Sequence, residues 1–217
     1  LKVDRKVFAQ LLTLTDGLTA TLAANVLVEL SSHSLPILVE QIGKPDEAMR
    51  ERIGAILLRI DDTGEVIGDM LKPLLRAGGE DVRERAATLL TKLPAYYPKA
   101  FTELVVRLED TSPAVANVFY GALAKIADEL LRHPAGEMEP VALDTLLRAL
   151  SGPDPARRDV SEQGLRVIVI AHPENAAAVA ALVASKDTDL AMRAIRVVGS
   201  VQKPVAGLYA ALYDVAF

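Results

Sequence analysis

The chain has 217 residues, 51% of them hydrophobic and only 4% aromatic, with a formal net charge of −5. Apolar residues in that proportion, spread along the whole length, exclude a disordered polymer. Scarce aromatics and plentiful alanine suit closely packed helices rather than a β-sandwich. The acidic balance gives no whole-molecule attraction for phosphate backbones, and zero cysteines exclude disulfides, thiolate chemistry and Cys-ligated metals.

A cysteine-free chain is compatible with a reducing compartment, and a cytoplasmic location is expected. No apolar run reaches the roughly 20 residues that span a bilayer. The chain opens at Leu1-Lys2-Val3 and closes inside an apolar helical pattern of Val205, Leu208, Leu212, Val215 and Phe217. A processed chain or a piece of a longer one is therefore expected.

Turn formers punctuate the sequence at short intervals, among them Asp16-Gly17, Gly43-Lys44-Pro45, Gly78-Gly79 and Ser151 to Pro155. Between them apolar residues recur at three and four, which is a helix period. Helices are predicted over 4–15, 18–31, 34–43, 46–60, 64–77, 80–93, 97–109, 113–132, 137–150, 156–171, 174–184, 187–200 and 203–216. They form about six hairpins and a remainder, with no stretch polar or long enough to link domains, so one domain over 1–217 is expected.

In the helix over 46–60, Met49, Ile53, Ile56, Leu57 and Ile60 fall on one side, and Gly54 and Ala87 are expected to let helices approach closely. Pro73 sits inside its predicted helix, so a bend or break is expected around Met70 to Pro73. Tyr96, Tyr97, Phe101, Phe119 and Tyr120 suit core positions between hairpins, or else an aromatic anchor for a peptide.

A longer register runs through the helices. Met49-Arg50, Val82-Arg83 and Val115-Ala116 are spaced by 33 residues, as are Leu57, Leu90 and Leu123, and again Ile60, Leu93 and Ile126. Such coincidence marks a stack of repeats that complete one another's core. The clearest units are 34–60, 64–93, 97–132, 137–171 and 174–200. An enlarged segment lies around His133 to Pro140, after which Gly164-Leu165-Arg166-Val167-Ile168 returns as Ala194-Ile195-Arg196-Val197-Val198, offset by 30.

Two units carry a fuller pattern: Leu35-Pro36-Ile37-Leu38 with Asp46, Met49-Arg50, Ile53-Gly54 and Leu57, then Lys72-Pro73-Leu74-Leu75 with Asp81-Val82-Arg83, Ala86-Ala87 and Leu90. This pattern resembles the HEAT repeat, over roughly residues 34 to 200. The resemblance implies an all-α, right-handed α-α superhelix, an α-solenoid of the armadillo/HEAT kind, with bent first helices and second helices lining a concave face. It also implies that Arg50 and Arg83 form a ladder with turn acids, for which Asp46 and Asp81 are the candidates.

On the second helices Arg59, Lys92 and Lys125 recur at 33-residue offsets, and Arg52 and Arg85 precede the first two by seven residues. Residues seven apart on a helix project in nearly the same direction, so these five form a basic strip. The strip fits an acidic peptide or protein segment laid across the groove, or else a solvated face whose late basic residues favour the helix dipole. Contact with a nucleic-acid backbone is the alternative.

Metal-ligand spacing, a phosphate loop and a nucleophile constellation are all missing from the sequence. Asp61, Asp62, Glu65 and Asp69 read as a solvated turn, and His33, His133 and His172 as hydrogen-bonding residues at helix ends. No catalytic residue, cofactor or metal is assigned. The function expected is protein–protein interaction by a non-enzymatic scaffold.

Overall fold

The computed structural model describes residues 5–14, 17–41, 47–61, 64–110, 112–134, 138, 140–141, 143–201, 208 and 213. Among these there is no strand, and the helices gather into two compact units, Leu1–Tyr96 and Tyr97–Phe217. Of the helix predicted over 203–216 only Leu208 and Tyr213 are described, both helical, while the ladder candidate Asp46 and the side chain of Arg50 lie outside the described residues.

The first unit contains α1 (Arg5–Thr13), α2 (Gly17–Glu29), α3 (Ser31–Gln41), α4 (Glu47–Ile60), α5 (Glu65–Leu71) and α6 (Glu80–Leu90). Of the apolar side predicted for α4, Ile53, Ile56 and Leu57 are buried, and Met49 and Ile60 half-buried. They share a core with Leu27 of α2, Leu38 of α3, Ile67 and Leu71 of α5 and Leu90 of α6. The α2–α3 corner is tied by the buried Ser34 hydroxyl, which donates to the Leu27 carbonyl at 2.6 Å. At Lys72 the α-helix gives way to a 3₁₀ segment, Lys72–Arg76. Pro73 accounts for the change, because it lacks an amide donor and its ring crowds the carbonyl four residues back.

The turn into α5 is closed by Asp61, whose carboxylate accepts from the amides of Gly64 and Ile67, each at 3.1 Å. Gly64 has φ +71°, and a Cβ there would sit 3.0 Å from Leu93 Cβ. Gly64→Ala is expected to cost about 1–2 kcal/mol, since a side chain disfavours the left-handed region by that amount. A denaturant midpoint that does not move at constant slope would refute the assignment.

The second unit contains α7 (Tyr97–Val105), α8 (Pro113–Arg132), α9 (Leu143–Ser151), α10 (Pro155–Ala171), α11 (Ala176–Ala180) and α12 (Thr188–Val198). Its core holds Phe101, Phe119, Leu123, Ile126, Leu146, Leu165 and Ile168, and Tyr97 and Tyr120 are also buried. With Tyr96 buried in the first unit, all five aromatics are core residues. The helix predicted over 137–150 begins only at Leu143, and His172 anchors the segment before it, with Nε2 2.9 Å from the Met138 carbonyl.

The second helices α4, α6 and α8 open at Glu47, Glu80 and Pro113, and α10 and α12 at Pro155 and Thr188, with 33 residues between successive members of each set. The 33-residue register thus resumes after the enlarged segment. The 30-residue offset is a slip of three residues, which on a helix comes close to one turn and leaves the matched side chains on nearly the same face. The aspartates that cap the two late helices confirm the true register: Asp154 accepts from the Ala156 amide at 2.9 Å, and Asp187 from the Leu190 amide at 3.2 Å.

Candidate functional site

In the first unit a groove of about 250 Å³ opens between the end of α1, the small-residue face of α2 and the exposed side of α4. Leu12, Leu27 and Ile56, all buried, form its floor. Ala20, Thr21 and Ala24 of α2 keep one wall low, and Ala55 does the same on α4. Arg52 and Arg59 stand at either end of the α4 wall, seven residues or roughly 10 Å of helix axis apart.

Both arginines reach across the groove to neutral acceptors. Arg52 Nη1 donates to the Leu14 carbonyl at 2.8 Å, just beyond the end of α1, and its Nε donates to the Ala48 carbonyl at 3.3 Å. Arg59 Nη2 donates to Asn25 Oδ1 at 2.8 Å. Among the described residues neither guanidinium has a carboxylate partner, and no carboxylate lines the groove. An apolar trough with unneutralised cations at both ends can hold an acidic, partly apolar segment by charge-assisted hydrogen bonds.

The rest of the predicted strip stands in other settings. Arg85 is half-buried and pairs with Asp81 one turn earlier, at 3.4 Å. Lys92 on the turn after α6 and Lys125 on α8 are both exposed. Lys125 belongs to the second unit and the other four to the first. Of the ladder candidates, Asp81 has this contact with Arg85, and Arg83 donates to the carbonyls of Ala77 at 2.8 Å and Gly78 at 3.4 Å.

A ladder that sequence reasoning missed runs from α10 to α12. Arg158 occupies on α10 the position that Arg83 occupies on α6. Its Nε donates to the Gly152 carbonyl at 2.5 Å, and its terminal nitrogens lie 2.9 Å from Asp187 and 3.0 Å from Asp189. Arg193 then meets Asp159 at 2.6 Å, Asp189 at 2.8 Å and Glu162 at 3.1 Å. Arg196 grips both oxygens of Glu162, at 2.7 and 2.8 Å. The bond from Asp189, with that from Asp187, holds the Arg158 pKa above its usual value, and the Leu190 amide, with Arg158, holds Asp187 below its own. Counting from the capping Asp154, rather than along an unbroken 33-residue grid, would have found Arg158.

The second unit also has a groove, of about 520 Å³, near the starts of α8 and α10. Its charges are answered from within: Arg148 pairs with Glu109 at 2.8 Å and Arg157 with Asp154 at 3.4 Å. The Arg157 guanidinium lies 5.0 Å from the Tyr120 ring centroid. Burial, ahead of any nearby charge, pushes the Tyr120 hydroxyl pKa up.

Asp61 is half-buried and accepts from the amides of Gly64 and Ile67, whereas Asp69 is exposed as expected and accepts from the Tyr96 hydroxyl at 2.9 Å; Asp62 lies outside the described residues. Among the described residues no cluster of three histidines or acids is placed to hold a metal ion, and no single helix is long and apolar enough to cross a membrane.

No family model and no curated protein matches the chain. Among solved structures, an engineered protein superposes with a TM-score of 0.53 at 18% identity, across 98% of this chain and 61% of its own length. A designed armadillo repeat protein in complex with the peptide (KR)4 superposes with a TM-score of 0.50 at 15% identity, across 92% of this chain and 100% of its own. The likeness is one of fold: the chain is an all-α solenoid of the armadillo/HEAT-like kind.

Proposed function

We propose that this chain is a non-enzymatic protein-binding scaffold, a cytoplasmic solenoid of HEAT-like repeats forming one domain that engages an acidic protein segment on its second helices. The observation that carries the reading is the α2–α4 groove, where Arg52 and Arg59 flank an apolar floor with no described carboxylate to neutralise them. A designed armadillo repeat protein of similar fold is in complex with the peptide (KR)4, which is in keeping with a peptide-binding role. The peptide there is basic, however, and the cations at this groove call for the opposite charge.

The test compares the full chain with its Arg59→Glu variant as bait for proteins from a lysate, with hydrogen exchange to locate the contact. Arg59 is exposed, so the substitution leaves the core intact. The expected result is a protein retained at micromolar concentration by the first chain, released by the second, and protecting the amides of α2 and α4. Equal retention by both chains, or binding of nucleic acid in preference to protein, would overturn the reading.

A further inference from the structure

The scaffold reading leaves open what the groove selects, and its two walls answer differently from its two ends. The floor of Leu12, Leu27 and Ile56 offers nothing to a polar side chain. Its volume of about 250 Å³ exceeds the roughly 150 Å³ at which an apolar cavity in a protein accommodates benzene. The ends are cationic. Arg59 is exposed and held by one neutral amide oxygen, so it can turn to a better acceptor, whereas Arg52 is half-buried and fixed by the Leu14 carbonyl, so it acts as a stationary charge. A carboxylate outcompetes a neutral acceptor for a guanidinium because charge-assisted hydrogen bonds are roughly twice as strong. The larger groove of the second unit lacks this combination, since its arginines already pair with Glu109 and Asp154.

Resting on the scaffold reading, we infer that the α2–α4 groove recognises a protein segment in which one aliphatic side chain lies between two carboxylates about 10 Å apart, the separation set by two turns of α4. The aliphatic group seats between Ala20, Ala24 and Ala55, and the carboxylates reach Arg52 and Arg59. Apolar burial supplies the affinity, and the two charges set position and orientation.

The probe is a fluorescein-labelled synthetic peptide with leucine midway between two glutamates, titrated with the full chain at low salt. Replacing that leucine by serine is expected to weaken binding about tenfold or more, the value of burying one such side chain. Ala55→Trp fills the seat while leaving both arginines in place, and a loss of about tenfold is expected with it. Ala55 is exposed on α4, so the indole has room and the melting temperature reports any misfolding. Arg59→Glu is expected to lose a similar factor, and to regain it against a peptide with lysine in place of the glutamate at that end.

If the serine peptide binds as tightly as the leucine peptide, or Ala55→Trp binds unchanged, the aliphatic seat is refuted while a purely electrostatic scaffold stands. If no acidic peptide binds at low salt, the inference falls, and the scaffold reading then rests on the retained protein and its release by Arg59→Glu.

Discussion

Gly68→Ala is expected to destabilise the first unit by about 3 kcal/mol, even though alanine is the better helix former by up to about 1 kcal/mol. Gly68 lies mid-helix in α5 and is buried; a Cβ built there would fall 2.4 to 2.5 Å from three atoms of the Tyr96 ring. Real carbon–carbon contacts lie near 3.5–4.0 Å, so the ring or the helix must move by about 1 Å. The ring has nowhere to go: Tyr96 is 1% exposed, and its hydroxyl is held by Asp69 one residue along α5. Displacing it strains the core and lengthens that hydrogen bond together, and overpacking of this kind outweighs the propensity gain. The measurement is the denaturant midpoint at constant slope. Tyr96→Leu made alone opens a cavity, but made on the Gly68→Ala background it relieves the clash. The double variant is therefore expected to be less destabilised than the two single costs combined. Strict additivity would show that the two residues do not meet.

Gly68 also marks a boundary of sequence reading. Local properties were legible: turn formers separated most of the helices, Pro73 placed the break in the α5 segment, and three coincident spacings placed the starts of α4, α6 and α8 to within a residue. The glycine of the closest helix contact was not, because Gly54 and Gly68 both sit in apolar helical patterns. Only the packing separates them: a Cβ on Gly54 would meet one flexible atom, Leu89 Cδ1, at an ordinary 3.7 Å.

The candidate site was legible in composition and not in pairing. The strip of Arg52, Arg59, Arg85, Lys92 and Lys125 followed from spacing, but spacing says nothing about counter-charges. Arg85 has Asp81 one turn away on its own helix, while the partners of Arg52 and Arg59 come from Leu14 and Asn25, in elements that precede the recognisable repeats. The groove floor depends on the same early helices and has no signature of its own.

Glu162→Ala is expected to cost about 2–3 kcal/mol and to loosen α12 before the rest of the second unit. Glu162 is 9% exposed and accepts from Arg196 twice and from Arg193 once. A buried ion pair stripped of one partner typically costs about 3–5 kcal/mol, because the remaining charge is left without compensation. Here the loss stays below that range. Arg193 keeps Asp159 and Asp189, and Arg196 is about half exposed and can turn to water. The same geometry predicts an asymmetry. Arg196→Ala should cost less than about 1 kcal/mol, as for other solvent-exposed partners, since Glu162 retains Arg193. Hydrogen exchange of the α12 amides is the sensitive measurement, because the ladder joins α12 to α10 and a local opening appears there first. Acid should act in the same direction. Asp189 is held below its usual pKa chiefly by Arg193, and Asp187 chiefly by the Leu190 amide. Their stabilising contribution is therefore present above the ordinary carboxylate range and is lost as the pH falls below about 4. If α12 protection in the Glu162→Ala chain matched that of the unaltered chain, the ladder would be decoration and the charges on this face would be available to a partner. The expected loss instead means that Arg158, Arg193 and Arg196 are held by carboxylates of their own unit, whereas Arg52 and Arg59 have only neutral acceptors among the described residues.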